Sequence, residues 1–448
     1  MLTLKSHVKL WEHQIKMVYL LLEQRRVLWV AGMSTGKTLA VIAAISRLSP
    51  ACAVIICPKA VMAVWRNQIA EYADGSFELV VLDKGTSASK QKIINSKAVG
   101  QRVVVVNYET ARLLKFANVD MVVCDESHKI SAPTSKVSTD LARLFAHTEY
   151  KICMTGTFVD DRPLQAFGQV RFLEPKFAGK RIDSEILGSY SAFFERVCNY
   201  RQLSMGIKVP VSYKNLEELA WQLSDFSVNI RTRDVVDMPK TQHIFERLEL
   251  GDKAKALYEK FEDDMIAEIE AGTMTAANVL VQALRLHQLS SGVFTTDEGQ
   301  REVLDSVKFD RVVELCEDTS EPVVVFTRFK AEAERLKAHF KDEARLLTGD
   351  VSQWDEWQKG AGRILVANIQ AGNAGIDLTR ARICIYSSIG NSRTQYSQSL
   401  MRVDRANQKS PVVTYYHITA SPIDRLLYRA MDEKEAVADV LLGNLRKT

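Results

Sequence analysis

The chain has 448 residues, enough for about two or three domains at the usual domain size. Hydrophobic residues make up 46% and charged residues 25%, a globular balance that excludes a disordered, collagenous or disulfide-framed chain. Lys plus Arg number 59 against 55 Asp plus Glu, a net charge of +4, so any nucleic-acid surface has to be a local basic patch. The seven cysteines include no C-x-x-C pair, which points to a reducing compartment without zinc or disulfides. Met1–Leu10 holds no apolar segment of secretory type, and no apolar run approaches the roughly 20 residues needed to span a bilayer. The expectation is a soluble, intracellular protein with no membrane partner, cytoplasmic with the nucleus as the alternative.

Short β-branched runs alternate with helical stretches in the first third of the chain. Val27–Ala31, Ala53–Cys57, Leu79–Leu82, Val103–Val106, Met121–Cys124 and Ile152–Met154 read as buried strands. Runs without alternation suit a parallel sheet covered on both faces. Lys37–Leu48 and Ala60–Tyr72 read as helices between them, so the order is βα and the fold class α/β. From about Asp160 to Lys240 the strand rhythm stops, and helical spacing (Phe193, Phe194, Val197; Leu216, Leu219, Leu223) predicts a helical insertion or bridge. Ala254–Ala271 and Ala276–Leu289 are further predicted helices. Strands return at Val323–Phe326, Arg345–Leu347, Ile364–Ala367, Ile383–Tyr386 and Val412–His417. Ser352 is a predicted N-cap, and Pro422 suits the start of a final helix. The expected domains are a lobe at 1–160, an insertion and bridge at 161–240, and a second lobe at 241–448.

Ala31-Gly32-Met33-Ser34-Thr35-Gly36-Lys37-Thr38 lies between a predicted strand and a predicted helix, the setting of a phosphate-binding loop. Backbone N–H groups of Met33, Ser34, Thr35 and Gly36 and the helix N-terminus would face phosphates. Lys37 would add a cation at the β- and γ-phosphates, and the Thr38 hydroxyl a ligand for Mg²⁺. Asp125-Glu126-Ser127-His128 ends the strand Met121–Cys124, where open α/β sheets bind ligands. Alone the pair reads equally well as a solvated acidic turn. After a phosphate loop, Asp125 reads as a Mg²⁺ holder and Glu126 as the group that polarises attacking water.

Thr155-Gly156-Thr157 and His128 read either as ordinary turn residues or as coupling elements. Gln398, Arg402 and Arg405, spaced i, i+4, i+7, fall on one face of a predicted helix. That face is either a solvated basic surface or a source of guanidiniums for a triphosphate. Ala371–Leu378 holds Gly372 and Gly375, which permit close backbone approach to a ligand.

Together these segments resemble the superfamily two helicase-like motors, most closely the Swi/Snf-type DNA translocases. Leu10-Trp11-Glu12-His13-Gln14 is similar to the family's adenine-reading glutamine motif, and the phosphate loop and Asp125–His128 to its motifs I and II. Cys57-Pro58-Lys59 with Trp65, Asn107-Tyr108-Glu109 and Met154–Thr157 resemble motifs Ia, Ib and III. Ile230-Arg231-Thr232-Arg233, Met238-Pro239-Lys240 and Leu284–Gln288 resemble the family's junction segments. Val323–Phe329, Ala371–Leu378 and Gln398–Gln408 resemble motifs IV, V and VI. Three positions depart from the family pattern: Ser34 and Asn407 stand where glycine is usual, and Phe158 where proline is usual.

The resemblance implies two RecA-like parallel-sheet lobes with a helical insertion between them, and ATP and Mg²⁺ as cofactors. It gives catalytic roles to Lys37, Asp125, Glu126, Gln398, Arg402 and Arg405, and nucleotide contacts to Gln14, the phosphate loop, Gly375 and Asp377. Lys59, Asn107, Tyr108, Thr327, Arg328, Thr348 and Gly349 become the expected nucleic-acid contacts. The implied activity is ATP-driven movement on duplex or branched DNA by a monomer, compact enough to suggest a bacterial or phage source. The competing readings are a strand-separating DNA or RNA helicase and a nucleotide-gated binding module with an idle motor.

Overall fold

The computed structural model describes residues 1–443 apart from 157, 159–161, 180, 203–205, 207, 271–275, 296–300, 305 and 372–375; within helices and strands, the side chains of 264–270, 276–280, 294–295, 301–303 and 433–443 are not described. Contacts divide the chain into two compact units, Met1–Asp237 with the segment from Lys434, and Met238–Glu433.

In the first unit seven strands form one sheet in which all neighbours are parallel. Across it they run Ser227–Ile230, Arg26–Ala31, Tyr150–Thr155, Met121–Asp125, Cys52–Cys57, Gln101–Asn107 and Phe77–Val81. Both faces are covered, which is why the strands read as unbroken apolar runs. Leu28, Val30, Val54 and Ile56 pack into a cluster with Phe145, Phe167 and Phe172. Val27, Trp29, Ala53 and Ile55 pack into a second cluster with Met17, Leu21, Val41 and Ile45 of the helices Glu12–Gln24 and Lys37–Leu48. Each fully buried Val, Leu or Ile contributes about 1.5–3 kcal/mol, so these two layers fix the sheet and with it the loops at its ends.

The segment 161–237 differs from its expected helical character. It holds the helices Ala166–Leu173, Tyr190–Val197 and Leu216–Ser224, but also two antiparallel hairpins, Pro175–Ala178 with Arg181–Ser184 and Cys198–Gln202 with Lys208–Tyr213. Its last strand, Ser227–Ile230, completes the edge of the first sheet beside Arg26–Ala31, so the segment belongs to the first unit. Ser227–Ile230 carries only two aliphatic residues, too short a run to read as a strand from the sequence.

The second unit has a six-stranded, all-parallel sheet in the order Lys240–Arg247, Val412–Thr419, Ile383–Tyr386, Val323–Thr327, Ile364–Asn368 and Ala344–Leu347. The edge strand Lys240–Arg247 is absent from the sequence reading because charged and polar residues dominate it and none of its residues is fully buried. The expected Ser352 cap is corrected: Ser352 bridges to Leu347, and the short helix Trp354–Gln358 is preceded by Gln353, whose side chain accepts from the Leu346 N–H at 3.0 Å. The last helix, Pro422–Gly443, starts at the proline. All seven cysteines are free, and no helix among the described residues is long and apolar enough to cross a membrane.

Candidate functional site

Parallel register brings the sequence motifs of the first unit to one edge of its sheet. Val30 pairs with Thr155, Met154 with Asp125, Cys124 with Ile56, and Cys57 with Asn107. The phosphate loop, the Thr155 turn, the acidic box and the segments after Cys57 and Asn107 therefore all leave the sheet at the carboxyl ends of their strands. The chain leaves the strand Arg26–Ala31 and re-enters the sheet three places away at Cys52–Cys57, which opens the crevice where such sheets bind ligands.

The loop itself is tightly held. Gly36, at the N-cap of Lys37–Leu48, has φ 73°, and Ser34 has φ 62°, both left-handed. Gln14 is buried against the loop: its Nε2 donates to the carbonyls of Gly36 (3.2 Å) and Thr35 (3.4 Å), and its Oε1 accepts from the Trp11 N–H (2.9 Å). His13 Nε2 lies 2.8 Å from the same Thr35 carbonyl. A Cβ on Gly36 would fall 2.1 Å from Gln14 Nε2, so glycine is required for approach as well as for φ. Lys37 Nζ donates to the carbonyls of Ala31 and Gly32, both at 2.8 Å. Burial pushes its ammonium pKa down, while the charges of Glu126 and Asp125 push it up. A cavity of about 470 Å³ is lined by Ser34, Gly36, Lys37 and Thr38 together with Trp11 and Tyr72.

Asp125 ends its strand half-buried. Burial, then the charge of Glu126, pushes its carboxyl up to about 6, against the pull of a hydrogen bond from Trp65 and the charge of Lys37. Trp65 Nε1 donates to Asp125 Oδ2 at 2.8 Å, and the Tyr108 hydroxyl donates to the Asp125 carbonyl at 2.7 Å. Glu126 has φ 54°, a left-handed backbone that a non-glycine residue holds only under constraint. His128 Nδ1 lies 3.2 Å from Glu126 Oε2 and 3.5 Å from Thr155 Oγ1, tying the box to the neighbouring turn. Two adjacent carboxylates, that of Asp125 raised in pKa, together with the hydroxyl of Thr38 on the loop, are the hard oxygen donors that suit Mg²⁺.

One residue had no signal in the sequence. Gln169, wholly buried on the helix Ala166–Leu173, accepts from Ser127 Oγ at 2.6 Å and donates to the Phe158 carbonyl at 2.9 Å. It joins the acidic box to the segment after Gly156, and Gly168 beside it allows the contact, since a Cβ there would lie 2.1 Å from the Ile130 carbonyl. Phe158 is buried in the core cluster. Thr157 lies outside the described residues.

In the second unit Gln398 and Arg402 lie on the helix Arg393–Val403. Arg405 does not: the helix ends at Val403, so the shared helical face is corrected to a helix and the turn after it. The two guanidiniums still converge, with Arg402 Nη1 3.5 Å and Arg405 Nη2 3.0 Å from the Ile376 carbonyl. Burial opposes ionisation of Asp377, yet hydrogen bonds from Thr379 and Asn407 and the charge of Arg405 hold its carboxyl below the usual range. Asn407 Nδ2 reaches Asp377 Oδ2 at 2.9 Å, a contact the family's usual glycine lacks. Gly375 lies outside the described residues.

The expected nucleic-acid contacts separate by burial. Tyr108, Thr327 and Thr348 are buried, and Asn107 Oδ1 caps its own helix by accepting from the Thr110 N–H at 2.9 Å. The Tyr108 hydroxyl braces Asp125, and Thr327 is enclosed at the end of its strand. Lys59 and Gly349 are exposed. Arg328 is half-buried beside Gly390, with its pKa lowered by burial.

A phosphate loop and an acidic box at the carboxyl ends of two strands separated by one strand in a parallel sheet, with a second parallel-sheet unit carrying paired arginines, define a helicase-like nucleoside triphosphatase. The profile of the SNF2-related domain matches residues 13–292. The chain belongs to the SNF2-related family and is a nucleic-acid-associated ATPase of the class that works as an ATP-dependent motor on DNA. It is similar to "Putative protein p41" of Acyrthosiphon pisum secondary endosymbiont phage 1, 21% identical over 449 residues and covering 95% of each chain. It is also similar to the Caenorhabditis elegans homolog of "SWI/SNF-related matrix-associated actin-dependent regulator of chromatin subfamily A-like protein 1", 23% identical over 85% of this chain, and it spans only 54% of that protein. The solved "Sulfolobus solfataricus SWI2/SNF2 ATPase core in complex with dsDNA" is 20% identical, with 96% of this chain and 93% of that one covered and a TM-score of 0.44.

Proposed function

We propose that this protein is a monomeric ATP-driven translocase that moves along duplex or branched DNA and remodels it, in the cytoplasm of a bacterial or phage-infected cell. The observation that carries the reading is the alignment of Lys37's loop and the Asp125–Glu126 box at one sheet edge, beside a cavity of about 470 Å³. Ser34, Thr35 and Gly36 offer backbone N–H groups to the phosphates, and Lys37 exchanges its loop carbonyls for phosphate oxygens. Thr38 and Asp125 are the residues that would hold Mg²⁺, which would supply positive charge against the phosphates. Glu126, oriented by His128, accepts the proton of the attacking water. Arg402 and Arg405 supply guanidiniums for the charge that develops in the transition state, a contribution of typically 10³–10⁵ in rate. Gln398, Gly375 and Asp377 keep the nucleotide-handling roles that the family resemblance implies for them, and Asp377 accepts from Asn407 in the turn that carries Arg405.

Lys59 and Arg328 are the side chains best placed to grip phosphates, joined by the backbone of Thr327, Thr348 and Gly349. Gripping phosphates rather than bases lets a motor pass over any sequence.

The test is ATP hydrolysis across duplex, forked, four-way and single-stranded DNA and RNA, with triplex displacement as the readout of movement. Duplex or branched DNA should stimulate most, and a triplex strand should be displaced without duplex unwinding. Lys37→Ala should lose most turnover, and Glu126→Gln should bind ATP without hydrolysing it. Wild-type turnover in Glu126→Gln, or unwinding without triplex displacement, would refute the assignment.

A further inference from the structure

The phosphate loop is braced on one side by Gln14 and His13. On the other side it meets the segment through which the chain passes toward its second unit. Gly32 N–H donates to the Ile230 carbonyl at 2.9 Å, extending the pairing of Ala31 with Ile230 at the sheet edge. Thr232 then begins the short helix Thr232–Val235, and its Oγ1 donates to the Met33 carbonyl at 2.8 Å. The fit is close enough to constrain the loop's sequence. A Cβ on Gly32 would lie 2.1 Å from Thr232 Oγ1 and 3.1 Å from its backbone nitrogen. Gly32 is not one of the glycines of the phosphate-loop pattern, and its φ is not left-handed, so the approach of Thr232 supplies its reason.

We propose that Thr232 is a positioning residue of the ATP site: its hydroxyl fixes the Met33 peptide of the phosphate loop and couples the loop's state to the connector 233–237. The proposal rests on the reading of that loop as the site of the ATP phosphates. Met33 sits where its peptide and the next two N–H groups must turn toward phosphate, so a carbonyl fixed at Met33 sets the direction of the donors after it. Because the same hydroxyl belongs to the first turn of the connector, a loop that tightens on phosphate draws on that turn directly. The coupling runs through one hydrogen bond and one glycine contact, both within the first unit.

Thr232→Val keeps the volume and branching of threonine and removes only the donor; Thr232→Ser keeps the donor. Two measurements are made on the full chain. In steady-state hydrolysis with duplex DNA, the valine variant should show a KM for ATP raised roughly 3–10-fold with kcat within about two-fold, as expected for one lost hydrogen bond. In amide hydrogen exchange, a saturating non-hydrolysable ATP analogue should slow exchange in residues 231–237 of the wild type and of Thr232→Ser, but not of Thr232→Val. Thr232→Ala is the second variant should valine disturb the packing against Gly32, and it should match valine in both readouts. A valine and alanine pair that matches wild type in KM, or in nucleotide-dependent protection of the connector, overturns the proposal. Lys37→Ala is measured alongside. If Lys37→Ala hydrolyses ATP as wild type does, the ATP-site reading has failed; if it is inactive while the Thr232 variants behave as wild type, only the coupling has.

Discussion

Ser34 holds a left-handed backbone, φ 62°, where relatives of this class usually have glycine. An L-residue pays about 1–2 kcal/mol there, partly offset because glycine would cost more entropy in the unfolded chain. Ser34→Gly should therefore stabilise the protein by about 0.5–1 kcal/mol, read as a higher thermal midpoint, with phosphate-loop function retained. A lower midpoint would mean that the serine side chain makes up for its own strain. Asn407 is the opposite case. It also replaces a usual glycine, but its amide binds Asp377 and Thr379 at 2.9 and 3.3 Å, so its substitution brings contacts of its own.

At the scale of elements, the acidic box depends on pieces that carry no chemistry. The helix Ala166–Leu173 presses Gly168 against the Ile130 carbonyl and places Gln169 between Ser127 and Phe158. Gln169→Leu keeps the volume but strands a buried hydroxyl and a buried carbonyl. Each unsatisfied group costs about 1–3 kcal/mol, so the variant should lose roughly 2–6 kcal/mol in urea unfolding, and ATP turnover should fall with it. Unchanged turnover would show that the box is held without this clamp. Trp65 shows the same dependence across the sheet, since the helix Met62–Tyr72 delivers its indole N–H to Asp125.

Across the whole molecule, the second unit contains two buried histidines whose protonation opposes folding. His417 is stacked among Tyr386, Phe245 and His243, and burial, then the charge of His243, pushes its pKa down to about 3. Burial pushes His287 down to about 4, against the charge of Asp424. Unfolded histidine titrates at about 6.5, so between that value and the folded values the unfolded chain binds more protons. Stability should therefore fall as pH drops below about 6.5, by up to about 1.4 kcal/mol per pH unit for each group. Urea unfolding at pH 7 and pH 5 measures the slope, and His417→Phe should make it shallower. An unchanged slope in that variant would assign the acid sensitivity elsewhere.

The sequence alone determined the interior strands and the main helices of both α/β halves, and it singled out Lys37, Thr38, Asp125 and Glu126. These features are local. A phosphate loop must follow a strand and open a helix, and a strand buried on both faces must be apolar along its length. It also pointed to Arg402 and Arg405 by spacing, although the helix ends before the second of them. Tertiary structure decided what depends on distant partners. Ser227–Ile230 is a strand because Arg26–Ala31 offers it an edge, and Lys240–Arg247 because Val412–Thr419 does. Tyr108 and Thr327 fit a family pattern of phosphate contacts, but their burial is set by the layers packed over them. Gln169 and Thr232 act through hydrogen bonds spanning 42 and 199 residues of chain, separations over which no periodicity or spacing carries a signal.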